Sequence, residues 1–207
     1  MQYNLDLSKI SIDSYKELLR NQNLLPGRRI LWENLDGNFL KIQELGVDNI
    51  EQLRKILSTP QKLVDFASRS GIPVDYLTIL KREMGSLEQK PVLLSDFPGI
   101  MPTKIAALAA LSIKTSRDYL EKYFNQEGEL SCLCDLVRIN GIGPVAARAF
   151  YEAGYHSVKA IAEAQAADIL AKVTAINIEK GYYKATLGVK DMQFCIDFAR
   201  LLIQYMA

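Results

Sequence analysis

The sequence predicts an all-α protein, a compact array of short helices. Three observations carry this. Apolar residues recur at three- and four-residue spacing through almost every segment. The one strand-like run, Pro91-Val92-Leu93-Leu94, is short and sits between turn residues. The connections are brief and marked by Gly and Pro.

Each element follows in order. Ile12, Tyr15, Leu18 and Leu19 form a helical stripe, capped by Ser11 or Asp13 and closed near Leu25-Pro26-Gly27. Leu53, Ile56 and Leu57 form the next, ended by Ser58-Thr59-Pro60. Leu63, Phe66 and Ala67 follow as far as Ser70-Gly71-Ile72-Pro73, and Tyr76, Leu77 and Leu80 run to Gly85-Ser86. The last helix carries Met192, Cys195, Ile196, Ala199, Leu202 and Ile203 on one face and Phe194, Phe198, Leu201 and Tyr205 on another. Being apolar most of the way round, it is expected to be central and buried. The connection from Gly85 to Pro91 is the candidate boundary, dividing an N-terminal helical unit (1–90) from a second unit (91–207).

Composition narrows the function classes. A 207-residue chain with 49% hydrophobic and 24% charged residues is globular, which excludes disordered, collagen-like and disulfide-scaffold classes. The formal net charge is +1, and the two sides are alike: 13 basic against 12 acidic residues up to residue 90, then 12 against 12. Any nucleic-acid binding must come from local geometry rather than bulk attraction. The chain opens with neither a basic nor an apolar leader, and no stretch reaches 18 apolar residues, so a reducing cytoplasm and no membrane are expected. Cys132-Leu-Cys134 lacks a second ligand pair, and His156 is the single histidine. No metal and no cofactor are expected, and the thiols read as buried or semi-buried.

Internal repetition is more informative. Phe97-Pro-Gly-Ile-Met-Pro-Thr-Lys-Ile-Ala-Ala-Leu, then Leu111-Ser-Ile-Lys-Thr, aligns without a gap 42 positions ahead. The second copy is Ile139-Asn-Gly-Ile-Gly-Pro-Val-Ala-Ala-Arg-Ala-Phe, then Ala153-Gly-Tyr-His-Ser. Each reads as an apolar residue, a Gly-Ile turn, Pro, a helix, a small residue and a second helix. Leu45-Gly-Val-Asp-Asn-Ile is a degenerate relative in the N-terminal unit, with Leu35-Asp36-Gly37-Asn38 in place of the turn.

The second copy holds the chemistry. Glycines at Gly141 and Gly143 allow backbone angles that side chains forbid and remove Cβ atoms where another backbone would approach. Pro144 suits the first turn of the helix that follows. The amides there are free and the helix end is partially positive, a natural phosphate site. The candidate nucleic-acid contacts are Asn140, Gly141, Ile142, Gly143, Val145 and Arg148, with Gly99, Thr103 and Lys104 from the first copy. Met101 replaces the second glycine there. Arg28-Arg29 and Lys180-Gly-Tyr-Tyr-Lys184 are lesser basic patches, read as solvated faces with half-buried tyrosines. The alternative for the glycines is close helix packing.

The run Leu136-Val-Arg-Ile-Asn-Gly141-Ile-Gly143-Pro resembles a helix-hairpin-helix. That resemblance implies a grip on the DNA backbone without base reading. Phe97-Pro-Gly-Ile also resembles the hairpin of the DNA-repair glycosylases of this class, but their Lys position falls on Thr103, one residue before Lys104, and their Asp position falls near Glu121. A one-residue shift turns a helical side chain by about 100°, so that chemistry is not expected. Nor is a Walker loop, G-x-S-x-G or H-E-x-x-H present, so no enzyme is expected.

Gly141-Ile-Gly-Pro, Gly154-Tyr-His-Ser-Val and Lys184 to Asp191, and more faintly Tyr15 to Glu83, resemble an uncharacterised bacterial family of helix-hairpin-helix repeats, catalogued as a domain of unknown function. The resemblance implies tandem helix-hairpin-helix units in SAM-domain-like, five-helix modules. Two readings stay open: sequence-independent binding of nucleic acid, DNA before RNA, with affinity that falls steeply with salt; or a protein-interaction or scaffold module that kept the fold alone.

Overall fold

The computed structural model describes residues 2–123 and 126–206. Among them the regular structure is helical, and two isolated antiparallel bridges, Ser11–Asn49 and Leu93–Thr115, stand in place of any strand. The protein is all-α. It divides into two units: Asp6–Glu88, and a second made of the chain from Gln89 onward together with the segment ending at Leu5. The N-terminal segment thus groups with the C-terminal unit, not with the residues that follow it.

The Asp6–Glu88 unit holds α1 (Ile12–Asn21), α2 (Leu35–Glu44), α3 (Ile50–Ile56), α4 (Pro60–Ser70) and α5 (Val74–Gly85). Ser11 caps α1 by accepting the Ser14 N–H, and Thr59 caps α4 by accepting that of Lys62. Gly71 ends α4 in a left-handed conformation. Tyr15, Leu19, Phe39, Leu53, Phe66 and Leu80 fill the core, the burial of each leucine or phenylalanine worth ~1.5–3 kcal/mol. Leu35-Asp36-Gly37-Asn38 does not replace the hairpin turn; it is the first turn of α2, and the chain reverses at Asn34 (φ +46°) instead. Arg28 pairs with the buried Glu83, and Arg29 lies over the Trp32 ring at 6.0 Å, so this patch is already engaged.

The C-terminal unit holds α6 (Pro102–Ala110), α7 (Ser116–Tyr123), α8 (Glu129–Leu136), α9 (Pro144–Glu152), α10 (Val158–Ala162), α11 (Ala166–Lys180) and α12 (Val189–Tyr205). α10 and α11 pack on α12, while α8 and α11 pack on α9. The N-terminal segment is tied in by side chains: the Tyr3 and Ser116 hydroxyls meet at 2.7 Å, and the fully buried Arg138 donates from Nε to the Tyr3 carbonyl at 2.9 Å. Asp135 accepts from Arg138 with one oxygen and from the Val158 N–H with the other, fixing the start of α10.

α6 and α9 start 42 residues apart and both begin with proline. Gly99 (φ +81°) and Gly141 (φ +94°) occupy the equivalent turn position, and Ser112 (φ +63°) and Gly154 (φ +92°) the equivalent exit. The exit hydrogen bonds also match: Ile113 N–H to Leu108 O, and Tyr155 N–H to Phe150 O, both at 3.0 Å. The copies differ upstream. The second is preceded by α8, the first only by a single 3-10 turn, Leu94–Asp96. Pro91 and Pro98 bracket that stretch, and the residue before each proline is held out of the helical region.

α12 is not buried all round. Met192, Cys195, Ile196, Phe198, Ala199 and Leu202 face the core, whereas Phe194 and Ile203 are exposed. The reason is a polar stripe at helical spacing, Gln193, Asp197, Arg200 and Gln204, which stays in water. Among the described residues, no helix is long and apolar enough to cross a membrane.

Candidate nucleic-acid interface

The second turn begins where α8 runs out. Val137 closes its last turn, Ile139 is buried, and the Ile142 N–H returns to the Ile139 carbonyl at 3.0 Å. Gly141 then takes φ +94°, a conformation that L side chains rarely adopt. A Cβ there would meet the Phe194 ring at 3.6 Å and the Cys195 Sγ at 3.7 Å. α12 therefore backs this turn. Burial pushes the Cys195 thiol up to about 12, so it stays protonated and serves as packing.

Ile142 is buried and plugs the turn, while Gly141 and Gly143 are exposed on either side of it. Gly143 is the N-cap of α9, at φ −81° and ψ 177°. Any residue adopts that conformation, and a Cβ would meet nothing within 4 Å. Neither backbone strain nor helix packing requires glycine here. No side chain caps α9. The first-turn amides of Val145 and Ala146 face an end of the helix that carries partial positive charge and has no Cβ in front of it.

Arg148, expected beside a phosphate, is turned inward and is 5% exposed. Its Nε donates to the Pro98 carbonyl at 2.8 Å, its Nη1 pairs with Glu129, and its guanidinium lies 5.8 Å from the Tyr151 ring centroid. It sits in the first turn of the other copy: Nη2 is 3.2 Å from where a Gly99 Cβ would be. The arginine expected to contact phosphate is committed to partners within the protein.

The first turn keeps its surface residues. Thr103 and Lys104 are exposed in the first turn of α6, Met101 is 66% exposed at its N-cap, and no side chain caps this helix either. Asn140, Gly141, Ile142, Gly143 and Val145 are contiguous in the second turn, with Asn140 and Val145 half-buried. In the Lys180–Lys184 patch, Lys180 pairs with Glu179 and the Tyr182 hydroxyl donates to Glu152 at 2.6 Å, while Lys184 is exposed. His156 is exposed and stacks beside Tyr151 at 4.7 Å, with its Nε2 3.2 Å from the Tyr151 carbonyl, as a turn residue does.

Two residues of this region escaped sequence reasoning. Phe194, 37% exposed, stands against Gly141. The gap after Gln193 in the polar stripe was the one signal for it. Glu129, the partner of Arg148, gave none.

No curated protein and no solved structure matches this chain. Residues 135–180, from the end of α8 through α11, match the family model described as a SAM-like helix-hairpin-helix tandem. Over that stretch the chain is similar to that family, which supports a helix-hairpin-helix protein.

Proposed function

We propose that the protein binds nucleic acid, DNA in preference to RNA, through the backbone at the Gly141–Gly143 turn, without reading sequence, and that it acts in the cytoplasm without catalysis. One observation carries the reading. Gly143 is a glycine that the fold does not need, at the uncapped start of α9, with open space where its side chain would be. An approaching phosphate explains the missing Cβ: it would accept from the Val145 and Ala146 amides and gain from the helix dipole. Gly99, Thr103 and Lys104 supply a second, weaker point of contact, with the Lys104 ammonium as its charge. Arg148 has no direct contact in this scheme.

The test is anisotropy of labelled single- and double-stranded DNA and RNA at about 50 and 200 mM salt, a range over which phosphate contacts lose affinity. Binding that weakens with salt and is lost in Gly143→Asp, with helicity unchanged by circular dichroism, is the expected result. The aspartate caps α9 itself and repels phosphate, so the fold survives the substitution. A flat trace at both salts removes this reading. It would favour a protein-interaction module, for which Met101 and Leu111, both exposed at the two ends of α6, supply the apolar contacts.

A further inference from the structure

The two hairpin turns are supported differently. Gly141 is backed by α12, through Phe194 and Cys195. Gly99 is backed by the Arg148 guanidinium, whose Nη2, Cζ and Nε lie 3.2, 3.4 and 3.7 Å from where its Cβ would be. The relation is not reciprocal, because the residue 42 positions before Arg148 is Ala106, which is exposed.

The chemistry of this contact is unusual for packing. A guanidinium carries five N–H donors and a permanent charge. Here Nε is satisfied by Pro98 and Nη1 by Glu129, but Nη2 is buried without a hydrogen-bond partner among the described residues. An orphaned donor on a buried cation is costly, and an apolar side chain of similar length would avoid that cost. What the arginine supplies, and an apolar side chain cannot, is a directional bond from α9 to the Pro98 carbonyl. That bond fixes the backbone one residue before the left-handed Gly99.

We propose that Arg148 is a positioning residue that couples the two turns, holding the Gly99 turn and the start of α6 in register with α9 so that both engage one nucleic-acid backbone. The proposal rests on the nucleic-acid reading above. Arg148 itself touches no phosphate. Without it, the Gly141 turn keeps its backing from α12, and the Gly99 turn loses its own.

The experiment uses the full chain and the variants Arg148→Met, Arg148→Lys, Lys104→Ala and the double variant Lys104→Ala/Arg148→Met. Hydrogen exchange on the free protein should show residues 97–105 of Arg148→Met exchanging faster, with residues 139–147 unchanged. In DNA anisotropy, Arg148→Met should keep binding but with a shallower salt dependence, by about 0.9 in log–log slope for each phosphate contact released. Lys104→Ala should weaken the wild type and have no further effect on Arg148→Met, because the first turn is already disengaged there. Arg148→Lys, which can still reach Pro98 with one donor, should recover part of the slope. If Arg148→Met does not fold, Glu129→Gln takes its place, loosening the guanidinium from its half-exposed partner. A wild type that binds beside an Arg148 variant of unchanged slope, or a Lys104→Ala effect equal in both backgrounds, overturns the coupling alone. A wild type that binds nothing overturns the nucleic-acid reading and the coupling together.

Discussion

A methyl group placed on Gly141 would touch Phe194 and Cys195 at ordinary van der Waals distance, so the barrier to alanine there is φ +94° rather than space. Gly141→Ala should lower stability by ~1–2 kcal/mol, the usual penalty of left-handed backbone for an L residue, measured by urea denaturation. Gly143 has neither constraint. Gly143→Ser should hold or raise stability by a few tenths of a kcal/mol, about the gain of serine over glycine at an N-cap. It should weaken nucleic-acid binding all the same, because its hydroxyl occupies the amides that a phosphate would use. A variant that binds as tightly as the wild type would place the contact elsewhere. The pair separates a glycine kept for the fold from one kept for an approach from solvent.

At the scale of elements, the turn that follows α6 and the turn that follows α9 differ in one respect. Where the second copy has Gly154, the first has Ser112 at φ +63°. Ser112→Gly should therefore stabilise the protein by about 0.5–1 kcal/mol, the relief of left-handed strain less the added chain entropy of glycine. A thermal melt reads this directly, and a lower Tm would mean that the Ser112 side chain carries a contact of its own.

Helices were legible where their cause is local. Ser11 and Gly71 announce their roles within a turn of where they act, and Thr59, read as the stop of one helix, is the cap of the next. The repeat was legible because the same short pattern recurs at a fixed offset. Arg148 was not, because its partners Pro98 and Glu129 lie 50 and 19 residues away and nothing in the periodicity of α9 distinguishes a cation facing water from one facing a carbonyl. The exposure of α12 was half-legible. Counting its apolar residues gave a buried helix, whereas the spacing of Gln193, Asp197, Arg200 and Gln204 marks its wet face. The single 3-10 turn ahead of Gly99 could have been read from Pro91 and Pro98, which leave no room for a helix between them.

At the scale of the whole molecule, the near-balance of charge means that the proposed nucleic-acid binding has to draw its affinity from local geometry, and the C-terminal unit is tied together by residues at its far end in sequence. Tyr3 is buried, bonded to Ser116 through its hydroxyl and to Arg138 through its carbonyl, and its ring lies 5.2 Å from the Arg117 guanidinium. Tyr3→Ala should cost ~3–5 kcal/mol, as for other large buried aromatics. The loss of hydrogen-exchange protection should fall on α7 and on the end of α8, leaving α1 to α5 unchanged. Protection lost evenly across the chain would contradict this.

The tie through Tyr3 also carries a cost in chain entropy. The segment ending at Leu5 and the chain from Gln89 belong to one unit, so Asp6–Glu88 is an insertion within it. To bring Tyr3 to Ser116, 113 positions apart, an unfolded chain must close that whole loop, against an entropy of about 4 kcal/mol on the (3/2)RT ln n scale. If the inserted unit folds first, the loop contracts to the span between its own ends. Asn4 and Gln89, on either side of the insertion, exchange two hydrogen bonds through the Asn4 side chain, so that span is short in the native state. Prior folding of the inserted unit would therefore shorten the loop that the Tyr3–Ser116 contact has to close, and so lower its entropy cost.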